Sequence, residues 1–185
     1  MKYGPHLILR LRMPVSDDLH DRNFVTKITH YDRVVNVQNS QSILHDLLPA
    51  SIILAEQGEM GLYNFTNPGA ISHNEILTMY KEIVDPTFTW TNFSLQQQSK
   101  VIVAGRSNCK LDTDKLTMKM REYDYDIPEV HDAYRQCFQR MVDNGALQKR
   151  LEKEKRDHEV DGIHALKRKR SLTVDQDGRN GSVVM

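Results

Sequence analysis

Arg106 follows the small apolar run Val101-Ile102-Val103-Ala104-Gly105 and precedes Ser107-Asn108. A guanidinium at a strand end, beside small polar side chains, can clamp a diphosphate or a carboxylate through two parallel N–H bonds. It can equally be an exposed loop arginine, and spacing alone does not choose between the two. The eight histidines form neither an HExxH motif nor a paired Cys/His cluster, and His20, His30 and His45 fall in separate segments. No metal site is expected from them. "LDTDKL", residues 111 to 116, opens like a calcium loop but lacks the later glycine and the closing glutamate, which excludes that reading. Cys137 falls on the apolar side of a helical pattern and is expected to be a core thiol, not a nucleophile. "KRKRSL", residues 167 to 172, reads as a solvated run in a tail in preference to a nuclear-import signal or a phosphorylation site.

The elements that must position such residues follow from periodicity. In "HLILRLRM" Leu7, Leu9, Leu11 and Met13 share one face and Ile8, Arg10 and Arg12 the other, which predicts a strand ended by Pro14. "SDDLHDRN" is a polar loop, "FVTKITHY" a short helix and "RVVNV", residues 33 to 37, a β-branched strand. A helix is predicted from about Leu48 to Gln57, with Pro49 in its first turn. "GLYNFTNPGAISHNEIL", residues 61 to 77, predicts a strand, a turn at Asn67-Pro68-Gly69, and a helix that Ser72 and Glu75 close with a capping box. Ile76, Leu77, Tyr80 and Ile83 recur behind it at helical spacing. "KVIVA", residues 100 to 104, predicts a strand, and Asp112 or Thr113 the cap of another helix. From Pro128 on, Val130, Ala133, Tyr134, Cys137, Phe138 and Met141 give a well-formed amphipathic helix. Strands alternating with helices over residues 7 to 142 point to an α/β body, with few strands and no complete sheet. Past Asn144-Gly145 the chain turns charge-dense. The body is expected over 1–145, and a charged tail, helical at first and then disordered, over 146–185.

Bulk properties narrow the field. Among 185 residues, 25 basic and 25 acidic side chains leave no global field to draw nucleic acid or a membrane surface. The first apolar run is too short, and too broken by Arg10 and Arg12, for a signal sequence or a membrane span. Two cysteines without a CxxC fit a reducing compartment, the cytoplasm by default.

Five stretches together resemble one group of proteins. "LRLRMPVSDDLHDRNFVTKI", "VVNVQNSQSILHDLLPASI", "GLYNFTNPGAISHNEIL", "YKEIVDPTFTWTNFSLQQQSKVIVAGRSN" and "LDTDKL" occur in that order and with similar spacing in the C-terminal half of nucleotide-rhamnose epimerase-reductases. More broadly the chain is similar to the dTDP-4-dehydrorhamnose reductases of the extended short-chain dehydrogenase/reductase superfamily. The resemblance covers about residues 3 to 142, in loops as well as strands. It implies an α/β fold: the C-terminal part of a Rossmann-type, NAD(P)-binding protein with its nucleotide-sugar lobe. It implies a reaction in which a UDP- or dTDP-4-keto-6-deoxy sugar is epimerised at C3 and C5 and reduced at C4 by NADPH or NADH. By the same resemblance Arg12, Met13 and Pro14 lie under the nicotinamide and the sugar, Asn23 and Lys27 in a loop closing over the substrate, and Arg106 and Asn108 at the nucleotide phosphates. Gly105 departs from the proline that relatives tend to carry.

The resemblance also exposes an absence. A Rossmann reductase needs a glycine-rich turn, where backbone N–H groups and a helix N-terminus meet the pyrophosphate. The nine glycines never form one, and Gly58-x-x-Gly61 follows a predicted helix, not a strand. None of the seven tyrosines has a lysine four positions on, so the Tyr-x-x-x-Lys proton donor of these reductases is missing too. The expectation is a truncated substrate-binding portion with the cofactor half missing, no catalytic residue, no cofactor bound alone, and inactivity alone. It would pair with a companion Rossmann half or self-associate. The alternatives are a non-catalytic interaction or regulatory module built on the same lobe, and a small α/β domain without a ligand.

Overall fold

The computed structural model describes residues 6–31, 33–92 and 108–157. Arg106, the strand expected over 100–104 and the basic run 167–170 lie outside the described residues. The chain divides into two compact units, 1–147 and 148–185. In the second, residues 148–157 are helical, with Arg150 and Glu154 one turn apart and 2.8 Å from each other.

The first unit is built from short strands and five helices among the described residues. The strands are β1 (Leu7–Arg10), β2 (Pro14–Val15), β3 (Gln38–Asn39), β4 (Ser42–Ile43), β5 (Gly61–Asn64) and β6 (Ile71–Ser72). The helices are α1 (Phe24–Thr29), α2 (Leu44–Glu56), α3 (His73–Ile83), α4 (Asp114–Glu122) and α5 (Val130–Asp143). The strands pair two by two: β1 with β5 and β2 with β4 are parallel, β3 with β6 antiparallel.

Two apolar clusters hold these elements. The larger joins β2, β4, β6, α1, α3 and α5 through Val15, Ile28, Ile43, Ile71, Leu77 and Tyr80, with Tyr134, Phe138 and Met141 of α5. The smaller packs Leu47, Ala50 and Leu54 of α2 against Tyr63, Phe65, Leu116 and Met120, with Leu7 and Leu9 at its margin. The apolar positions predicted for α5 are all buried. Burial pushes the Cys137 thiol up to about 12, so it stays protonated and inert as a nucleophile.

Three local expectations need correction. The strand 7–13 stops at Arg10, because Met13 adopts φ 45°, a left-handed conformation that ends an extended run. "RVVNV" is not a strand: Val34 makes one isolated bridge to Asn92, and pairing resumes only at Gln38. Its β-branched residues serve packing instead, with Val34 and Val35 buried. Helix α2 starts at Leu44, so Pro49 sits inside it and not in a first turn. Proline removes one helical N–H there, at a cost of about 3 kcal/mol in a buried interior. Here Pro49 and His45, whose carbonyl loses its donor, are both exposed, and water can replace the bond.

Other signals hold to the atom. Ser72 Oγ accepts from the Glu75 backbone N–H at 3.3 Å and Glu75 Oε2 from that of Ser72 at 2.8 Å, completing the box that starts α3. Gly69 turns the chain at φ 96°, and a Cβ there would collide with the Glu129 carboxylate. The Asp112 carboxylate accepts from the Asp114 N–H at 2.8 Å at the start of α4, although Thr113 is the formal cap.

A titratable clip joins the starts of α3 and α5. His131 Nε2 lies 3.2 Å from Glu75 Oε1 and its Nδ1 3.0 Å from Glu129 Oε1. Burial pushes the imidazole pKa down, but the bonds to Glu129 and Glu75 outweigh it and the net direction is up. Glu75 is lowered, first by its bond with Ser72. A raised histidine contributes fully below its unfolded value, near 6.5, and the contribution is lost as pH rises through the folded value; a lowered glutamate contributes above about 4.5. The clip is therefore strongest between those limits. His131→Ala should lower Tm by a few degrees at pH 5.5 and by less at pH 8.5, read by calorimetry. An equal loss at both values would assign His131 a packing role only.

Candidate functional site

The chain after β1 makes a tight passage into β2. The Arg12 N–H donates to Ser42 Oγ at 3.0 Å, and Arg12 Nη2 donates to Asn39 Oδ1 at 2.6 Å. Met13 follows in its left-handed conformation, and its Sδ accepts from Gln41 Nε2 at 3.3 Å. A non-glycine residue at positive φ stores strain that its surroundings must impose, which is frequent where a backbone borders a ligand. Pro14 then pairs with Ser42 as β2 enters its ladder.

The other expected residues are placed differently. Asn23 is buried as the N-cap of α1: its Oδ1 accepts from Val25 N–H, and its Nδ2 donates to the carbonyls of Ser16 and Asp18. Its polar capacity is committed to the loop it closes. Lys27 is exposed in the last turn of the same helix. Asn108 is exposed, and its Oδ1 accepts from Asn39 Nδ2 at 3.3 Å. The structure thus brings Arg12, Met13, Pro14 and Asn108 to one region. Asn23 and Lys27 belong to α1, and Arg106 lies outside the described residues.

The group that assembles this region is "NSQS", residues 39 to 42, which no motif singled out. All four are buried. Asn39 and Ser42 hold Arg12, and Gln41 holds Met13. The Ser40 N–H donates to the Cys109 carbonyl at 3.0 Å, and Ser40 Oγ accepts from the Leu111 N–H at 2.9 Å. Below them Asn67 takes the Ile43 N–H at 2.9 Å and donates to Asp46 at 2.9 Å. In sequence a polar run between apolar segments reads as a solvated loop; only the absence of glycine and proline from "QNSQS" hinted at ordered backbone.

On the far side of β3, where strand alternation puts Gln38 opposite to Asn39, lies a groove of about 570 Å³. Gln38, Asn74, Glu75, His131 and Arg135 are among its lining. Among the described residues, none of the expected site residues lines it. Among the described residues no group of three His, Cys, Asp or Glu side chains can hold a metal ion, and no helix is long and apolar enough to cross a membrane.

A dinucleotide does not fit the described residues. Gly58 and Gly61 take φ 69° and 89°, but they connect the end of α2 to the start of β5. A phosphate cradle needs the reverse order, strand then helix N-terminus. No step through a nicotinamide is derived for this chain alone.

No protein-family model matches the chain. It is 56% identical over 115 residues to a bifunctional dTDP-4-dehydrorhamnose 3,5-epimerase/dTDP-4-dehydrorhamnose reductase of Arabidopsis thaliana, a match that covers 62% of this chain and 38% of the relative. It is 53% identical over 122 residues to a trifunctional UDP-glucose 4,6-dehydratase/UDP-4-keto-6-deoxy-D-glucose 3,5-epimerase/UDP-4-keto-L-rhamnose-reductase of the same plant, covering 65% of this chain and 18% of the relative. Among solved structures, the UDP-rhamnose synthase of Acanthamoeba polyphaga mimivirus superposes with a TM-score of 0.67 at 40% identity, over 72% of this chain and 45% of that one. An NADP complex of dTDP-4-dehydrorhamnose reductase from Bacillus anthracis superposes at 0.53 with 14% identity, over 74% and 49%, and carries the fold alone. The fold is α/β and matches part of an NAD(P)-binding reductase fold, and the homologues are rhamnose synthase epimerase-reductases. The chain spans less than half the length of each of these relatives.

Proposed function

We propose that this chain is the nucleotide-sugar-binding portion of a rhamnose-pathway 3,5-epimerase/4-reductase, taking a UDP- or dTDP-4-keto-6-deoxy sugar and inactive as a reductase by itself. The observation that carries this reading is the convergence of Arg12, Met13 and Asn108 on one buried polar segment, in a chain whose relatives have names that state this chemistry. Arg12 to Pro14 border the reacting sugar and the cofactor; Arg106 and Asn108 face the diphosphate; Asn23 shapes the loop at the sugar, and Lys27 reaches towards it from α1. The phosphate turn and proton donor come from a companion Rossmann half that also carries NADPH or NADH. Two free cysteines, one half-buried and one buried, suit the cytoplasm.

A second reading, a non-catalytic docking module, rests on a different observation: Ile8 and Leu62 lie side by side and half exposed on the outer face of a parallel strand pair. Calorimetric titration separates the two. The first expects the chain to bind UDP or dTDP, and the second expects neither to bind. Purified chain with a 4-keto-6-deoxy nucleotide sugar and NADPH should give no reduction, because no tyrosine in the sequence has the lysine four positions on that would make it the proton donor to C4. Turnover that follows this polypeptide through purification would refute the inactivity.

A further inference from the structure

We infer that Asn39 is a positioning residue of the nucleotide-sugar site, locking the Arg12 segment to the Asn108 segment and presetting Asn108 as a hydrogen-bond donor to the nucleotide diphosphate. The inference rests on the function proposed above and adds to it a residue to which neither motif nor resemblance gave a role. Asn39 is 1% exposed on β3, and its amide is divided between two segments, one 27 positions before it and one 69 to 70 positions after it. Its Oδ1 accepts from Arg12 Nη2 at 2.6 Å and from the Cys109 backbone N–H at 3.1 Å. Its Nδ2 donates to Asn108 Oδ1 at 3.3 Å.

That division has a chemical consequence. An asparagine amide has one oxygen that accepts and one NH₂ that donates. With the Asn108 oxygen turned to Asn39, its NH₂ is the end presented away from Asn39, at an exposed position. Arg12 hangs from the other end of the same Asn39 amide. One buried side chain therefore fixes the Arg12 segment and the Asn108 amide against each other, and the exposed Asn108 NH₂ is the donor it leaves for an anionic acceptor such as a diphosphate. Asn39 does this without reaching the ligand. It is fixed by the β3–β6 ladder, where it pairs with Ile71, and by the neighbouring Ser40 bonds to Cys109 and Leu111.

The test uses the full chain, with UDP and uridine as probes in calorimetric titration. Wild type should bind UDP more tightly than uridine. Asn39→Ala should weaken UDP by about tenfold, the value of one charge-assisted bond, and leave uridine unchanged, since only the phosphate contacts are misaimed. Asn39→Asp keeps both acceptor bonds, so it guards against a fold-breaking alanine, but it cannot donate to Asn108. It should weaken UDP in the wild-type background and have less than a twofold effect when Asn108→Ala is also present. A fall in UDP and uridine alike, or a full Asn39→Asp effect without Asn108, would assign Asn39 a structural or purely electrostatic role and overturn the inference. UDP binding untouched by either variant would overturn it and leave the proposed function standing. Failure of wild type to bind either UDP or dTDP would overturn both.

Discussion

The 185-residue chain is expected to self-associate, and replacing Ile8 and Leu62 together by lysine is expected to make it monomeric. Parallel strands occur almost only in sheets covered on both faces. In the β1–β5 pair Leu9 and Tyr63 face the smaller core, while Ile8 and Leu62, register partners, face outward and are 53% and 52% exposed. Leu11 and Met60 are exposed as well. Covering what remains accessible of Ile8 and Leu62 is worth about 2–3 kcal/mol for each copy of the face. In a symmetric contact both copies gain it, enough to drive association at about tens of micromolar to millimolar concentration. Sedimentation velocity over a concentration series should show a growing mass for wild type and a constant monomer for Ile8→Lys/Leu62→Lys, whose Tm should not depend on concentration. Leu9→Lys serves as the contrasting variant: it places a charge at the margin of the smaller core and should destabilise the monomer itself. A wild-type monomer with a concentration-independent melt would show that this face needs no cover.

The same strands show where sequence was informative. Alternation put Tyr63 and Phe65 on one face, and both are buried. The capping box, the Gly69 turn and the six apolar positions of α5 were legible because each depends on chemistry within a few residues. The face of β1 was not. Alternation in "HLILRLRM" separates Leu7, Leu9 and Leu11 from Ile8 without saying which face is covered; Leu7 and Leu9 pack on the smaller core, and Ile8 is the residue left outside. Which side of an alternating strand is covered depends on α2 and β5, some 40 to 55 positions on, and no local pattern encodes that. Pro49 misled for a related reason: its usual place in a first turn was overridden by an exposed helix face where the lost bond costs little.

The resemblance gave Arg12, Met13 and Pro14 to the nicotinamide and sugar and Asn108 to the phosphates; in the fold they lie in one region, joined by Asn39 to Ser42, side chains to which the sequence assigned no role. Burial separates a structural asparagine from a solvated one, and burial is a tertiary fact. Asn23, which the resemblance alone placed at the substrate, has its amide engaged in a helix cap, and that too is a tertiary fact.

Asn67→Ala is expected to remove about 3–4 kcal/mol at pH 7, a large share of the 5–15 kcal/mol that holds a domain of this size. Its amide, wholly buried, accepts from Ile43 N–H at 2.9 Å and donates to Asp46 Oδ2 at 2.9 Å and to the Pro128 carbonyl at 3.3 Å. Truncation leaves a buried N–H and a buried carboxylate without these partners. Burial raises the Asp46 pKa; the Asn67 bond opposes it, as do Arg140 and His45 at longer range. Because the folded value lies above the unfolded 3.8, ionised Asp46 costs stability, and that cost grows as pH rises from about 4 through the folded value. Removing Asn67 takes away an opposing contact and enlarges the cost. The loss should therefore be greater at pH 7 than at pH 4, where Asp46 can take a proton. Asp46→Asn keeps an oxygen for Asn67 to meet and carries no charge, so it should be near neutral at pH 7 and abolish the pH dependence of the Asn67→Ala loss in the double variant. Urea unfolding of the four chains at both pH values provides the measurement. An Asn67→Ala loss that is equal at pH 4 and pH 7 would mean that the Ile43 and Pro128 bonds, and not the Asp46 carboxylate, are what Asn67 is there to satisfy.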